Sequence, residues 1–223
     1  MVAMATSMTM KAIISILSCF CALFLPMEVT AKEPSIRLLA DHVTAELGEI
    51  HLVSGKKKSD PITLPINNLS VEIIAPDRTF EVRPAEGDEV LATVNLPPKG
   101  KEFIVLLSSI EKGFKPSVIP ADDRSFTKGD VYFFNNSGET ITGVVGGVEL
   151  EARNGQSVII HPKADGSKNS YSVSLKVHED SGDRVLSNTI WPVEPGMRSY
   201  VFFYFDPKRE RITFRSVDEF VQE

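Results

Sequence analysis

A chain of 223 residues with 30 acidic against 24 basic side chains carries a formal net charge of −6, which withholds the basic surface that a nucleic acid or an anionic membrane would require. Its two cysteines, Cys19 and Cys21, both fall in the leader read below, so the remaining chain has no disulfide, no thiolate-bound metal and no thiol nucleophile. Such a protein must be held by its core alone.

Met1 to Ala31 reads as a cleavable export signal. Lys11 precedes the apolar run Ala12 to Met27, and Val29-Thr30-Ala31 supplies small residues before a cut at Lys32. The run is shorter than the ~20 residues of a spanning helix, and no later stretch approaches that length. The mature chain is therefore expected to have no transmembrane span and to be secreted or periplasmic. Two alternatives stay open: the signal is retained as an N-terminal anchor, or Cys19, after Ile16-Leu17-Ser18, is lipidated, which would leave Phe20 to Met27 on the product. Cleavage leaves 223 − 31 = 192 residues, enough for one large or two small domains, and removes Lys11 with Glu28, so the charge stays at −6.

From Ser35 to about Ala121 the pattern is strand after strand: SIRLLA, EIHLVSG, SVEIIA, TFEVR, EVLATVNLP and EFIVLLSS. The punctuation is Ser54-Gly55, Asn67-Asn68, Pro76-Asp77, Glu86-Gly87-Asp88 and Pro97-Pro98-Lys99-Gly100, a turn spacing that suits an all-β sandwich. The best helical candidate, around Ser108 to Gly113, is weak. Lys56-Lys57-Lys58 reads as a solvated loop tip. Polar, proline-marked Pro116 to Lys128 is the candidate boundary, giving one sandwich at 32–121 and another at 129–223.

The second half opens with VYFFNN, TITGVV, VELEA and SVIIHP, between Asp130 and Pro162, read as a β-meander. Its last hairpin turns at Arg153-Asn154-Gly155. A two-residue turn would pair Arg153 with Gln156. A three-residue loop with Gly155 in the left-handed bulge position pairs Ala152 with Gln156, sets Leu150 opposite Val158 and Val148 opposite Ile160, and is preferred on burial. SYSVSLKVHE alternates, with Tyr171, Val173, Leu175 and Val177 on the dry face, as a half-exposed antiparallel strand. RVLSNTIWPV, SYVFFYFDP and RITFRSVDE follow. The second of these is apolar on both faces (Val201, Phe203 and Phe205 against Tyr200, Phe202 and Tyr204) and reads as a central strand buried on both sides. Asp206-Pro207 begins a turn with Pro207 in its first central position.

The leader together with Tyr132-Phe133-Phe134-Asn135-Asn136-Ser137, Gly155-Gln156-Ser157, Trp191-Pro192 and Ser199-Tyr200-Val201-Phe202-Phe203 resembles uncharacterised exported bacterial proteins with a C-terminal β-sandwich. The likeness covers about the last 95 residues by these motifs and implies a fold, with no function attached. The two-sandwich layout is also similar to that of periplasmic pilus chaperones, whose paired basic cleft residues have no assigned counterpart here.

Chemistry-bearing motifs are absent. There is no Gly-x-Ser-x-Gly elbow, His-Glu-x-x-His helix or Gly-x-Gly-x-x-Gly turn, and Gly55-Lys56-Lys57 has the wrong spacing for a phosphate loop. Gly143, Gly146 and Gly147 read as bulge or twist sites rather than as a backbone approach for a ligand. His42, His51, His161 and His178 are each isolated in sequence, so no metal site is assigned. Asp122-Asp123, Asp165-Gly166-Ser167 and Asp180-Ser181-Gly182-Asp183 lack the alternating ligands of a calcium loop. Trp191 could stack on a sugar, but Trp191-Pro192 reads first as the close of a strand at a domain edge. No catalytic, cofactor or metal residues are assigned. The expectation is an exported all-β protein with two antiparallel, immunoglobulin-like sandwich domains, a non-catalytic binding or structural module whose partner is a protein or cell-envelope component. An assembly chaperone and an exported carbohydrate-active enzyme are the alternatives.

Overall fold

The computed structural model describes residues 33–166, 169–194, 196–207 and 209–221, so the stretch read as an export signal and both cysteines lie outside the described residues. Within them the chain is all-β, with one 3₁₀ turn at Ala45–Leu47 and no helix long and apolar enough to cross a membrane. The helical candidate at Ser108 to Gly113 is instead the end of a strand and the turn after it, because the strand of the continuous apolar run in EFIVLLSS extends to Ser109.

The first nine strands are β1 (Ser35–Ala40), β2 (Glu49–Ser54), β3 (Lys57–Lys58), β4 (Ile62–Thr63), β5 (Ile73–Ile74), β6 (Thr79–Pro84), β7 (Ala92–Asn95), β8 (Glu102–Ser109) and β9 (Phe114–Pro120). They form one sheet in the order β5-β1-β8-β9 and another in the order β3-β2-β6-β7, with β4 also on β2. The rest are β10 (Val131–Asn136), β11 (Thr140–Val145), β12 (Val148–Ala152), β13 (Ser157–Ile160), β14 (Ser170–Glu179), β15 (Gly182–Pro192), β16 (Met197–Asp206) and β17 (Arg211–Phe220). Their sheets run β13-β10-β16-β17 and β12-β11-β14-β15. Strand for strand, with β4 as the one extra, the second half repeats the topology of the first. Pro116 and Pro120 belong to β9 rather than to the connection, a position open to proline because β9 is an edge strand. The connection runs from Ala121 to Asp130.

The ladders are not all antiparallel. β1 pairs parallel with β8, and β10 with β16. A parallel pair needs a long crossover, and in each half the strands of the opposite sheet lie between the two partners in sequence.

The meander reading fails for the same reason. β12 pairs with β11 and β13 pairs with β10, so Arg153-Asn154-Gly155 carries the chain from one sheet to the other instead of closing a hairpin. Gln156 N–H donates to Arg153 O at 3.0 Å and Gly155 has φ +79° while Asn154 does not have positive φ, which is a type II turn. Leu150, Val158 and Ile160 still share one core, because they face each other across the sandwich. Alternation reports the face of a residue and is blind to which strand lies beside it. Asn135, fully buried, fastens this corner: its amide donates to Glu139 O and Ala152 O, both at 2.7 Å, and its oxygen accepts from Ser137 N–H and Oγ. Gly155→Ala meets no atom within 4 Å but must adopt a left-handed backbone, so it should lower the unfolding free energy by about 1 kcal/mol in a urea titration, with Asn154→Ala costing less.

Three cores separate four layers. Ile36, Leu38, Phe80, Val82, Phe103 and Val105 belong to the first, and Phe133, Ile141, Leu175, Val177, Val201 and Phe203 to the second. The third joins the halves: Leu39, Ile104, Leu106 and Ile119 pack with Phe126, Tyr132, Phe134, Tyr200, Phe202 and Val217. The sheets of β1 and β10 are therefore buried on both faces, which accounts for the two-sided apolar pattern of β16. Phe205 departs from that pattern, being half exposed at the strand's end. Arg209 N–H to Asp206 O then closes the turn, with Pro207 in the expected position.

Candidate functional site

The C-terminal half holds an open cleft of about 270 Å³ at the end of its sandwich, between the edge strands β15 and β17. One of the residues that the β14 alternation turns inward, Tyr171, reaches it. Trp191 lies across the ladder from Tyr171, the rings meeting edge-to-face at 6.3 Å. Trp191 also meets Phe214 of β17 at 6.3 Å, so one indole spans the gap between the two sheets. Pro192 ends the ladder, as the sequence suggested. Val193, Glu194 and Met197 complete the apolar and outer walls.

The polar wall comes from chain segments far apart in sequence. Asp130 is buried, with Oδ2 accepting from Thr127 N–H (2.7 Å) and Oγ1 (2.9 Å) and Oδ1 bonded to His161 Nδ1 (2.6 Å). It is thus committed to holding the connection against β10. Asp218 Oδ1 accepts from Ser199 Oγ at 2.6 Å. The residue Tyr171 is 5% exposed, and its hydroxyl, which has no hydrogen-bond partner among the described residues, is not sealed from the cleft. Burial, reinforced by the Asp218 charge, pushes this hydroxyl up to about 12, so it stays protonated at any physiological pH. Among the described residues the cleft is lined by the acidic Asp130, Glu194 and Asp218 and by no basic side chain.

The first half has open pockets elsewhere, one of them beside Leu91, Gly113 and Phe114, but the region that corresponds to the Trp191 cleft is filled. Leu96 N–H to Arg78 O (2.8 Å) and Val193 N–H to Asn169 O (2.9 Å) are the same bond in the two halves. Phe80 and Val94, paired on β6 and β7, therefore correspond to Tyr171 and Trp191. Aligned by the equivalent bonds Ala40 N–H to Pro65 O (2.9 Å) and Asn135 N–H to Gln156 O (3.0 Å), Ile36 corresponds to Val131, and its parallel partner Phe103 to Ser199. Phe80, Val94, Leu96 and Phe103 are all buried, and Arg78 closes over the end by donating to Gly100 O (3.0 Å) and Pro97 O. Phe114 N–H reaches Leu91 O at 2.7 Å, and a Cβ on Gly113 would lie 2.2 Å from that oxygen, so β9 and the start of β7 are sealed together. A serine in place of the Phe103 ring, with a hydroxyl added at Tyr171, opens the corresponding region of the second half.

The remaining sequence candidates are dispersed. His51 Nδ1 bonds Ser59 O, and His178 pairs with Asp183 on the outer face of β14, where hydrogen bonding to Asp183 raises its pKa. No group of three or more His, Cys, Asp or Glu among the described residues is placed to hold a metal ion. Asp123 accepts from Ser125 N–H and Oγ, which lowers its pKa and marks an ordinary polar turn. Gly146-Gly147 form the two-residue turn between β11 and β12, both at positive φ, rather than a bulge. Sequence reasoning singled out Trp191 but not Tyr171, Ser199 or Asp218. The signal was the Phe-to-Tyr and Phe-to-Ser difference between corresponding positions, which is readable only once the repeat is known. Compared with known proteins, the chain matches no family model and no curated protein.

Proposed function

We propose that this is an exported, non-catalytic binding module of the cell envelope, made of two immunoglobulin-like sandwich domains at 32–121 and 129–223. The observation that supports it is the cleft at Trp191, open in one half of an internal repeat whose other half is sealed in the corresponding region. Packing that merely closes a sandwich would make the two ends alike. Asp130 is spent on Thr127 and His161, so the cleft is better suited to holding a group than to the paired carboxylate chemistry of glycoside cleavage. Co-purification from the native envelope fraction tests the reading. A partner retained by the natural protein should be lost with Trp191→Ala once circular dichroism shows the fold intact, and retention of every partner by that variant would defeat it.

A further inference from the structure

Resting on that reading, the ligand chemistry follows from the lining of the cleft. Three aromatic rings present π-electron density that attracts cations. Three carboxylates line the same space, and none of the described lysines or arginines does. The Tyr171 hydroxyl borders the same space without a hydrogen-bond partner among the described residues and is not one of the sealed-off polar atoms, so it is open to a bond from a ligand. At about 270 Å³ the space falls below the usual ~300–1,000 Å³ of small-molecule pockets and suits a group of side-chain size.

We propose that the cleft between β15 and β17 takes a protonated organic amine, the lysine side chain of a partner protein, with its ammonium held by Asp218 and the Tyr171 hydroxyl and its methylenes against Trp191 and Phe214. The hydroxyl accepts one ammonium hydrogen and the Asp218 carboxylate another, while Ser199 keeps Asp218 oriented. The first half cannot hold such a group, because the Phe103 ring and the Arg78 guanidinium close the corresponding end of its sandwich.

Trp191 is the chain's single tryptophan, so its emission reports the cleft alone. The full mature chain is titrated with Nα-acetyl-lysine N-methylamide and, separately, with the neutral sugar methyl β-glucopyranoside. The lysine derivative should give a saturable change in emission that weakens as salt is raised, and the glucoside none. Asp218→Asn should weaken the lysine derivative about tenfold, equivalent to one lost charge-assisted contact of ~1.4 kcal/mol, and Tyr171→Phe should weaken it by a smaller factor, with the unfolding midpoint of each variant confirming the fold. Saturation by the glucoside instead of the amine would overturn the cationic assignment and leave the binding module standing. Saturation by neither, with a Trp191-dependent partner still recovered from the envelope, would do the same. Saturation by neither together with no such partner would remove both.

Discussion

Glu219→Gln is expected to cost about 3 kcal/mol of unfolding free energy at neutral pH, read as a lower urea midpoint at unchanged slope. Glu219, near the end of β17, is the only acidic residue among the described ones in a cluster that joins the halves. Arg37 of β1 donates to Oε1, while Arg198 Nε (2.7 Å) and the Tyr200 hydroxyl (2.9 Å) donate to Oε2. Arg198 lies over the Phe126 ring at 4.7 Å and donates to Phe126 O, and two positions before Val217 Arg215 reaches across to Ala40 O and Ile66 O. Removing the single negative charge leaves two guanidinium groups facing each other beside the shared core, and such a break in a buried network costs roughly 3–5 kcal/mol. The lower figure applies because the three side chains keep 14–19% exposure.

The same group sets an acid dependence. Burial pushes the Glu219 carboxyl up, but the hydrogen bond from Arg198 and the charge and hydrogen bond of Arg37 outweigh it, and the native pKa lies below its ordinary value of 4.5. A depressed carboxylate contributes stability that is present above the unfolded value and lost as pH falls through the folded one. The gap between the natural protein and Glu219→Gln should therefore be full above the ordinary carboxyl value of 4.5 and close as pH falls below it. Equal midpoints at pH 7, or a constant gap down through the acid limb, would show that Glu219 does not hold the halves together.

What the sequence made legible was the face of each residue. Tyr171, Val173, Leu175 and Val177 turn inward as their alternation required, and β16 is buried on both sides because its sheet is an inner layer of four. What it hid was partnership. Leu150 and Ile160 share a core equally well as hairpin neighbours or as opposed strands, so apolar patterning could not distinguish a meander from a crossing between sheets. The parallel pairs were invisible for the same reason. The cleft was harder still: Asp130, Trp191 and Asp218 are distant in sequence, and the meaning of Ser199 depends on knowing that Phe103 fills the corresponding place. The basic residues between the halves illustrate the limit of architectural likeness. Arg37 and Arg198 are bound to Glu219, and Arg215 to backbone carbonyls, rather than standing free as the anchor an assembly chaperone needs.

Gly143→Ala is expected to be nearly as damaging as the loss of Glu219, at about 3 kcal/mol, from backbone contact rather than charge. The sequence offers Gly143, Gly146 and Gly147 as one group, but the three do different work. Gly143 is in the middle of β11, paired with Leu150 on one side and Leu175 on the other, and its φ is not in the left-handed region. A Cβ there would lie 2.2 Å from Ser174 O and 3.1 Å from the Leu175 Cα. The obstacle is backbone, so no rotamer change relieves it, and β14 must move away from β11. That displacement would separate Leu175 and Val177 from Ile141 and loosen the second core, where overpacking typically costs ~1–3 kcal/mol. Gly147 supplies the control: it has positive φ and open space around a Cβ, so Gly147→Ala should cost only about 1 kcal/mol, the strain of a left-handed residue. Calorimetric or urea midpoints for the two variants decide the matter. If both fall by the same small amount, β11 and β14 are not in the close register described, and Gly143 is the strand irregularity that sequence alone suggested.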